Sequence, residues 1–147
     1  REYKLSLQRE INKLSRLIDM RFYNSCIDCG KPFTSQIDAA HFHSVGSNNS
    51  IRYNLHNIHA ARSHCNLYNP EHKSGYKQGL IKRYGEEYLG IVEALPSTYS
   101  YVKLSEADVV AKLKIVRKLV RDFNTYQFDN SIQVRNLFNK IIGIYTT

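Results

Sequence analysis

Five of the six histidines and all three cysteines of this 147-residue chain fall between residues 24 and 69. Cys26-Ile27-Asp28-Cys29 is a Cys-x-x-Cys turn followed by Gly30, and Cys65 can add a third thiolate. Such a turn aims two sulfurs at one ion, and a structural zinc completes a tetrahedron with four ligands. Position 62, where a second Cys-x-x-Cys would begin, holds Arg62, which cannot ligate. The fourth ligand would then be a nearby imidazole, with His64 the first candidate and His59 and His56 the others. The competing reading is a knuckle held by packing and hydrogen bonds, with Arg62 filling the space. Redox motifs share the spacing, but they open a helix within a βαβ pattern, and no such pattern surrounds these cysteines.

Asp38-Ala39-Ala40-His41-Phe42-His43 is the second feature. On a strand residues 41 and 43 point the same way, so two imidazoles would share a face. A neutral histidine can take a proton from water, and a carboxylate close by can hold a hard cation such as Mg²⁺. The third feature is Asn57-Ile58-His59 followed by Cys65-Asn66. An amide oxygen can bind a metal or orient an imidazole, and a knuckle built on Cys65 would fix where Asn66 points.

The elements around these residues are read from periodicity. Leu7, Ile11, Leu14, Leu17 and Ile18 recur at spacings of three and four, which predicts an amphipathic helix over 6–22. That periodicity stops between residues 24 and 69, where short strands are expected near 37–43 and 51–53 and a loop at 44–50. Asn69-Pro70 reads as an N-cap with proline at the first helical position, opening a helix to about residue 84, followed by a short one over 86–94. Ser105 and Asp108 have capping-box spacing at the head of a stronger helix, and a last helix is expected over 131–142. The organisation is therefore a helix at 1–23, a metal-binding core at 24–95 and a helical segment at 96–147.

The net charge of +8 favours a polyanionic partner, because neutralising phosphates releases counterions. No run approaches the roughly 18 apolar residues of a membrane span. An odd cysteine count suits thiolate ligands in a reducing cytoplasm better than a disulfide framework. The chain opens on Arg1 rather than Met, as a trimmed chain would, and it carries no signal-peptide pattern.

Taken in order, Cys-x-x-Cys, Asp-x-x-His, Asn-x-His and Cys-Asn resemble the HNH nucleases with a zinc knuckle. The segments CIDCGKPF, DAAHFHSVGS, IRYNLHNIHAARSHCN and SGYKQGLIKRYG, preceded by REINKLSRLIDMRF, are similar to the phage NinG (Rap) recombination proteins from about residue 8 to 95. The resemblance implies an α+β fold: a small ββα-metal core with a zinc knuckle between mostly helical flanks. It also implies structure-specific cleavage of branched DNA such as recombination intermediates, in the bacterial host cytoplasm for a phage protein. His41 would be the general base, and Asn57 would hold the loop. Asn66 would bind a catalytic Mg²⁺ or Mn²⁺, with Asp38 and His43 as candidates to complete that site. In an alternative register His41 is the ligand and His43 the base. Arg52, Arg62, Lys73 and Lys77 are the candidate DNA contacts, and two-fold symmetric junctions would suit a homodimer. The chain departs from the pattern at Arg62, where the family has Cys, and at Ala40, where many HNH enzymes carry an acidic residue. A non-catalytic DNA-binding protein on a degenerate HNH fold is the alternative these departures favour.

Overall fold

The structure, a computed structural model, describes residues 2–34 and 36–146. The described residues form seven α-helices and one two-stranded sheet, a mixed α+β arrangement. The order is α1 (Glu2–Phe22), β1 (Ile37–His41), β2 (Ile58–Arg62), α2 (Ser63–Tyr68), α3 (His72–Tyr84), α4 (Glu86–Glu93), α5 (Leu95–Thr98), α6 (Glu106–Arg121) and α7 (Ser131–Ile142). None of these helices is long and apolar enough to cross a membrane.

Helix α1 buries Leu7, Ile11, Leu14 and Ile18 completely, as its apolar spacing predicts. The same face carries three buried polar residues, Gln8, Ser15 and Asp19. Helix α6 starts at the expected capping box: the Ser105 amide donates to Asp108 Oδ2 at 2.9 Å, and the Asp108 amide donates to Ser105 Oγ at 3.0 Å. Leu7 of α1, Ile58 of β2, Tyr76 of α3, Val116 of α6 and Phe138 of α7 lie in one hydrophobic core, so the three sequence segments share a single interior.

β1 and β2 pair antiparallel, with Asp38 opposite Ala61 and Ala40 opposite His59. An unpaired edge on β2 would leave backbone groups unsatisfied, and here side chains and the knuckle cover it. Ser15 Oγ donates to the Ile58 carbonyl at 2.6 Å, and the Ala60 amide donates to Asp19 Oδ2 at 2.6 Å. The Ile27 amide donates to the Ala60 carbonyl at 3.0 Å, and the Arg62 amide donates to Cys26 Sγ at 3.2 Å. Arg135 of α7 closes the cover, donating from Nη2 to the Ile58 carbonyl at 3.0 Å and to Asp19 Oδ2 at 3.2 Å, with both charged side chains fully buried.

Four expectations need correction. The second strand lies at Ile58–Arg62, not at 51–53; Ile51 closes a 3₁₀ turn, Asn49–Ile51. Residues 58 to 61 are all buried, so the strand shows no polar alternation to read. β1 ends at His41 rather than 43, which removes the alternation that set both histidines on one face. A short helix, α2, occupies part of the stretch where periodicity alone showed no helix. Helix α3 begins at His72, because Asn69 closes α2 and its Oδ1 accepts from the Glu71 amide at 3.0 Å.

Candidate functional site

The knuckle brings Cys26, Cys29 and Cys65 together, with their sulfurs all within 4.8 Å of one another. Gly30, at φ +77°, allows the turn to close. Three such sulfurs could hold a metal such as zinc, and they fit three corners of a tetrahedron. The fourth corner is not His64, which is exposed with its ring 5.7 Å from that of Tyr68. Arg62 stands there instead, its Nη1 3.6 Å from Cys29 Sγ and 3.9 Å from Cys65 Sγ. The other imidazoles named for this corner, His59 and His56, are buried and engaged with Tyr76 and Tyr88 instead. Burial opposes ionisation of Cys29, but hydrogen bonds from the Lys31 backbone and Arg62 outweigh it and bring the thiol down to about 7. Burial and the neighbouring sulfurs push Cys65 up to about 12.

Asp38 and Asn66 also meet. Ser63 Oγ donates to Asp38 Oδ1 at 2.7 Å and Asn66 Nδ2 donates to Asp38 Oδ2 at 3.1 Å, so the first turns of α2 grip a carboxylate on β1. Asn57 clamps the chain beyond β1 from both sides: its Oδ1 accepts from the His43 amide at 2.9 Å, and its Nδ2 donates to the His43 carbonyl at 3.1 Å. The His43 ring turns to α4, with Nε2 2.8 Å from the Val92 carbonyl.

His41 points elsewhere. Strand alternation sets it on the face opposite Asp38, and its ring contacts α1 and the loop before β2 rather than Asn66. Three residues of strand separate the two positions by roughly 10 Å. His41 Nε2 lies 3.1 Å from the Arg52 carbonyl. A carbonyl only accepts, so Nε2 carries the proton and the lone pair is on Nδ1. Burial holds His41 below the ordinary imidazole range, and the charge of Arg52 adds to this, so the ring is neutral near pH 7.

The four candidate DNA contacts all have partners within the chain. Arg52 donates to Gln8 and Asn49, and Arg62 to the thiols. Lys73 donates to the Phe42 carbonyl with its Nζ over the Phe42 ring, and Lys77 pairs with Glu93 at 3.4 Å.

A sequence model described as Bacteriophage Lambda NinG protein matches residues 1–125. The chain belongs to the NinG family. The ninG protein of Escherichia phage lambda is 32% identical over 100 residues, covering 63% of this chain and 47% of that protein. That of Escherichia phage 933W is 34% identical over 73 residues, covering 47% of this chain and 34% of that protein. The chain thus spans about half or less of the length of these NinG relatives. No solved structure matches it.

This NinG-family chain gives His59 a different place from the one expected, and it also uses residues that the sequence reading did not select. His59 is fully buried, with Nδ1 3.0 Å from Tyr76 Oη and Nε2 3.4 Å from Arg135 Nε. Tyr76 Oη donates to the Ala40 carbonyl at 2.8 Å, which ties β1 to α3. Asp28, inside the Cys-x-x-Cys turn, accepts from Asn69 Nδ2 and faces His72 Nδ1, each at 2.9 Å. Gln8, Asp19 and Arg135 are polar residues on otherwise apolar helix faces, and that misplacement is the one signal that would have found them.

Proposed function

We propose that this NinG-family chain is a metal-dependent HNH-type endonuclease that hydrolyses phosphodiester bonds in branched DNA. The observation that carries the reading is the state of His41: neutral, half-buried, and tethered through Nε2 to the Arg52 carbonyl, a contact that puts the lone pair on Nδ1. Nδ1 takes a proton from water as the water oxygen attacks phosphorus. The bond to the 3′ oxygen breaks, and that oxygen leaves as a hydroxyl after taking up a proton, so the other product keeps a 5′ phosphate. Asp38 and Asn66 are the residues that would hold Mg²⁺ or Mn²⁺; the Asn66 amide would first rotate to present oxygen, and water would fill the remaining positions. A divalent ion held there would supply positive charge to a DNA phosphate bound on that face of β1. Asn57 keeps the loop behind His41 in place, and Cys26, Cys29 and Cys65 would hold a structural zinc.

Recombination intermediates are the substrate class that the net charge of +8 and the family suit. Arg52 and Lys73 are the basic groups whose charge acts on His41 and His43. A homodimer in the host cytoplasm matches the two-fold symmetry of a junction. A second reading, a non-catalytic DNA-binding protein, draws on the separation of His41 from Asn66 and on Arg62 at the fourth corner of the knuckle. Incubating the chain with four-way-junction DNA in Mg²⁺ or Mn²⁺, against EDTA, separates the two. Metal-dependent cleavage that is lost in His41→Ala while binding persists supports the enzyme. Removing a general base typically costs about 10²–10⁴-fold. Binding without cleavage by the unaltered chain supports the second reading.

A further inference from the structure

The His41 tether depends on a residue of α1. Gln8 is nearly buried, and its Oε1 accepts from Arg52 Nε at 2.9 Å. Because a guanidinium only donates, that contact fixes which end of the amide is oxygen. Gln8 Nε2 then has two hydrogens, and both are engaged: one with Asn12 Oδ1 at 2.9 Å and one with the Arg52 carbonyl at 3.0 Å. His41 Nε2 lies 3.3 Å from Gln8 Nε2, two donor nitrogens side by side over one carbonyl. Were Gln8 free, its amide could donate to His41 Nε2 and draw the ring into the opposite tautomer, with the lone pair away from Nδ1.

We propose that Gln8 is a positioning residue for His41. Held by Asn12 and Arg52, it has no hydrogen to offer the imidazole, and it fixes the Arg52 peptide whose carbonyl receives the Nε2 proton. It also holds the Arg52 guanidinium beside the ring, so α1 sets both the proton acceptor and the neighbouring cation. The inference rests on the endonuclease reading for its catalytic consequence, while the hydrogen-bond geometry stands apart from that reading.

The test compares Gln8→Met, which keeps the length and packing of the side chain but removes its polar ends, with Asn12→Ala, which frees one Gln8 hydrogen. Each is examined by nitrogen-15 NMR of the histidine rings, thermal unfolding, junction-DNA binding, and cleavage with Mg²⁺ or Mn²⁺. In the unaltered chain the His41 Nε2 proton should give a resolved signal protected from exchange. Both variants should weaken or lose that signal, and Asn12→Ala should bind DNA as before. Their kcat should fall about ten- to a hundred-fold, the scale of a misplaced reacting group. If Gln8→Met fails to fold, Asn12→Ala, altered at a partly exposed position, carries the test. A retained signal with unchanged kcat in the variant that folds overturns the proposal. If the unaltered chain does not cleave, the endonuclease reading falls, and the NMR signal alone decides whether Gln8 positions His41.

Discussion

Acid should begin to destabilise this chain above the pH at which carboxylates titrate, because of two buried histidines. His56 donates from Nε2 to Asn136 Oδ1 and accepts at Nδ1 from Tyr88 Oη, each at 2.8 Å, which satisfies a neutral ring. Burial, with Arg135 nearby, lowers its pKa from 6.5 to about 4. His59 is shifted in the same direction by burial and then by Arg135 and Arg83. In the folded chain both rings stay neutral below 6.5, whereas in the unfolded chain both take up protons there. Stability is therefore full above about pH 6.5 and lost as the pH falls towards the folded value near 4. At about 1.4 kcal/mol per pH unit, His56 alone removes about 2 kcal/mol at pH 5 and on the order of 3 kcal/mol below pH 4. Against a typical total of roughly 5–15 kcal/mol, that loss is large. Urea unfolding followed by circular dichroism between about pH 7 and 5 measures it directly. A midpoint that does not move over that range would refute neutral burial of these rings.

Arg62→Cys should complete a four-thiolate site, and elemental analysis should then find one tightly held zinc per chain, with a higher melting temperature that EDTA reverses. Gly79→Ala should be strongly destabilising, because an added Cβ would lie 1.8 Å from the Ile27 carbonyl oxygen and force α3 off the knuckle. Overpacking of this kind costs about 1–3 kcal/mol or more, read as a fall in the urea midpoint. Asn57→Ala should lower stability by about 1–3 kcal/mol, since it removes both hydrogen bonds to residue 43. Faster amide exchange at residue 43 would localise the effect.

The helices that pack by one apolar face were legible. Leu7, Ile11, Leu14 and Ile18 announced α1, and Ser105 with Asp108 announced the start of α6, because periodicity and capping are local properties. β2 was not legible, since a strand buried on both faces has no alternation to read. The thiolate cluster followed from cysteine spacing, but the place of His64 did not. A single residue step along a helix turns a side chain by about 100°, which sends His64 to solvent beside the buried Cys65, and α2 was too short to be seen in the sequence. His41 and His43 were assigned to one face on the assumption that the strand continued. It ends between them, because the Asn57 side chain takes over the amide and carbonyl of residue 43. Gln8 and Arg135 contact residues far along the chain, and only folding brings those partners to them.

The covered margin of β2 makes this hairpin dependent on both ends of the chain. Its hydrogen-bonding groups are satisfied from α1, before the cysteines, and from α7, close to the C-terminal residue. Cut free at residues 24 and 95, the motif would carry a raw strand margin able to zip onto a second copy. Trimmed only after α6, it would keep Asp19 sealed inside without Arg135, and uncoupling a sealed ion pair costs about 3–5 kcal/mol. The helical flanks are thus clasps on the catalytic candidate rather than appendages to it, and transplanting the motif into another protein would mean transplanting them as well.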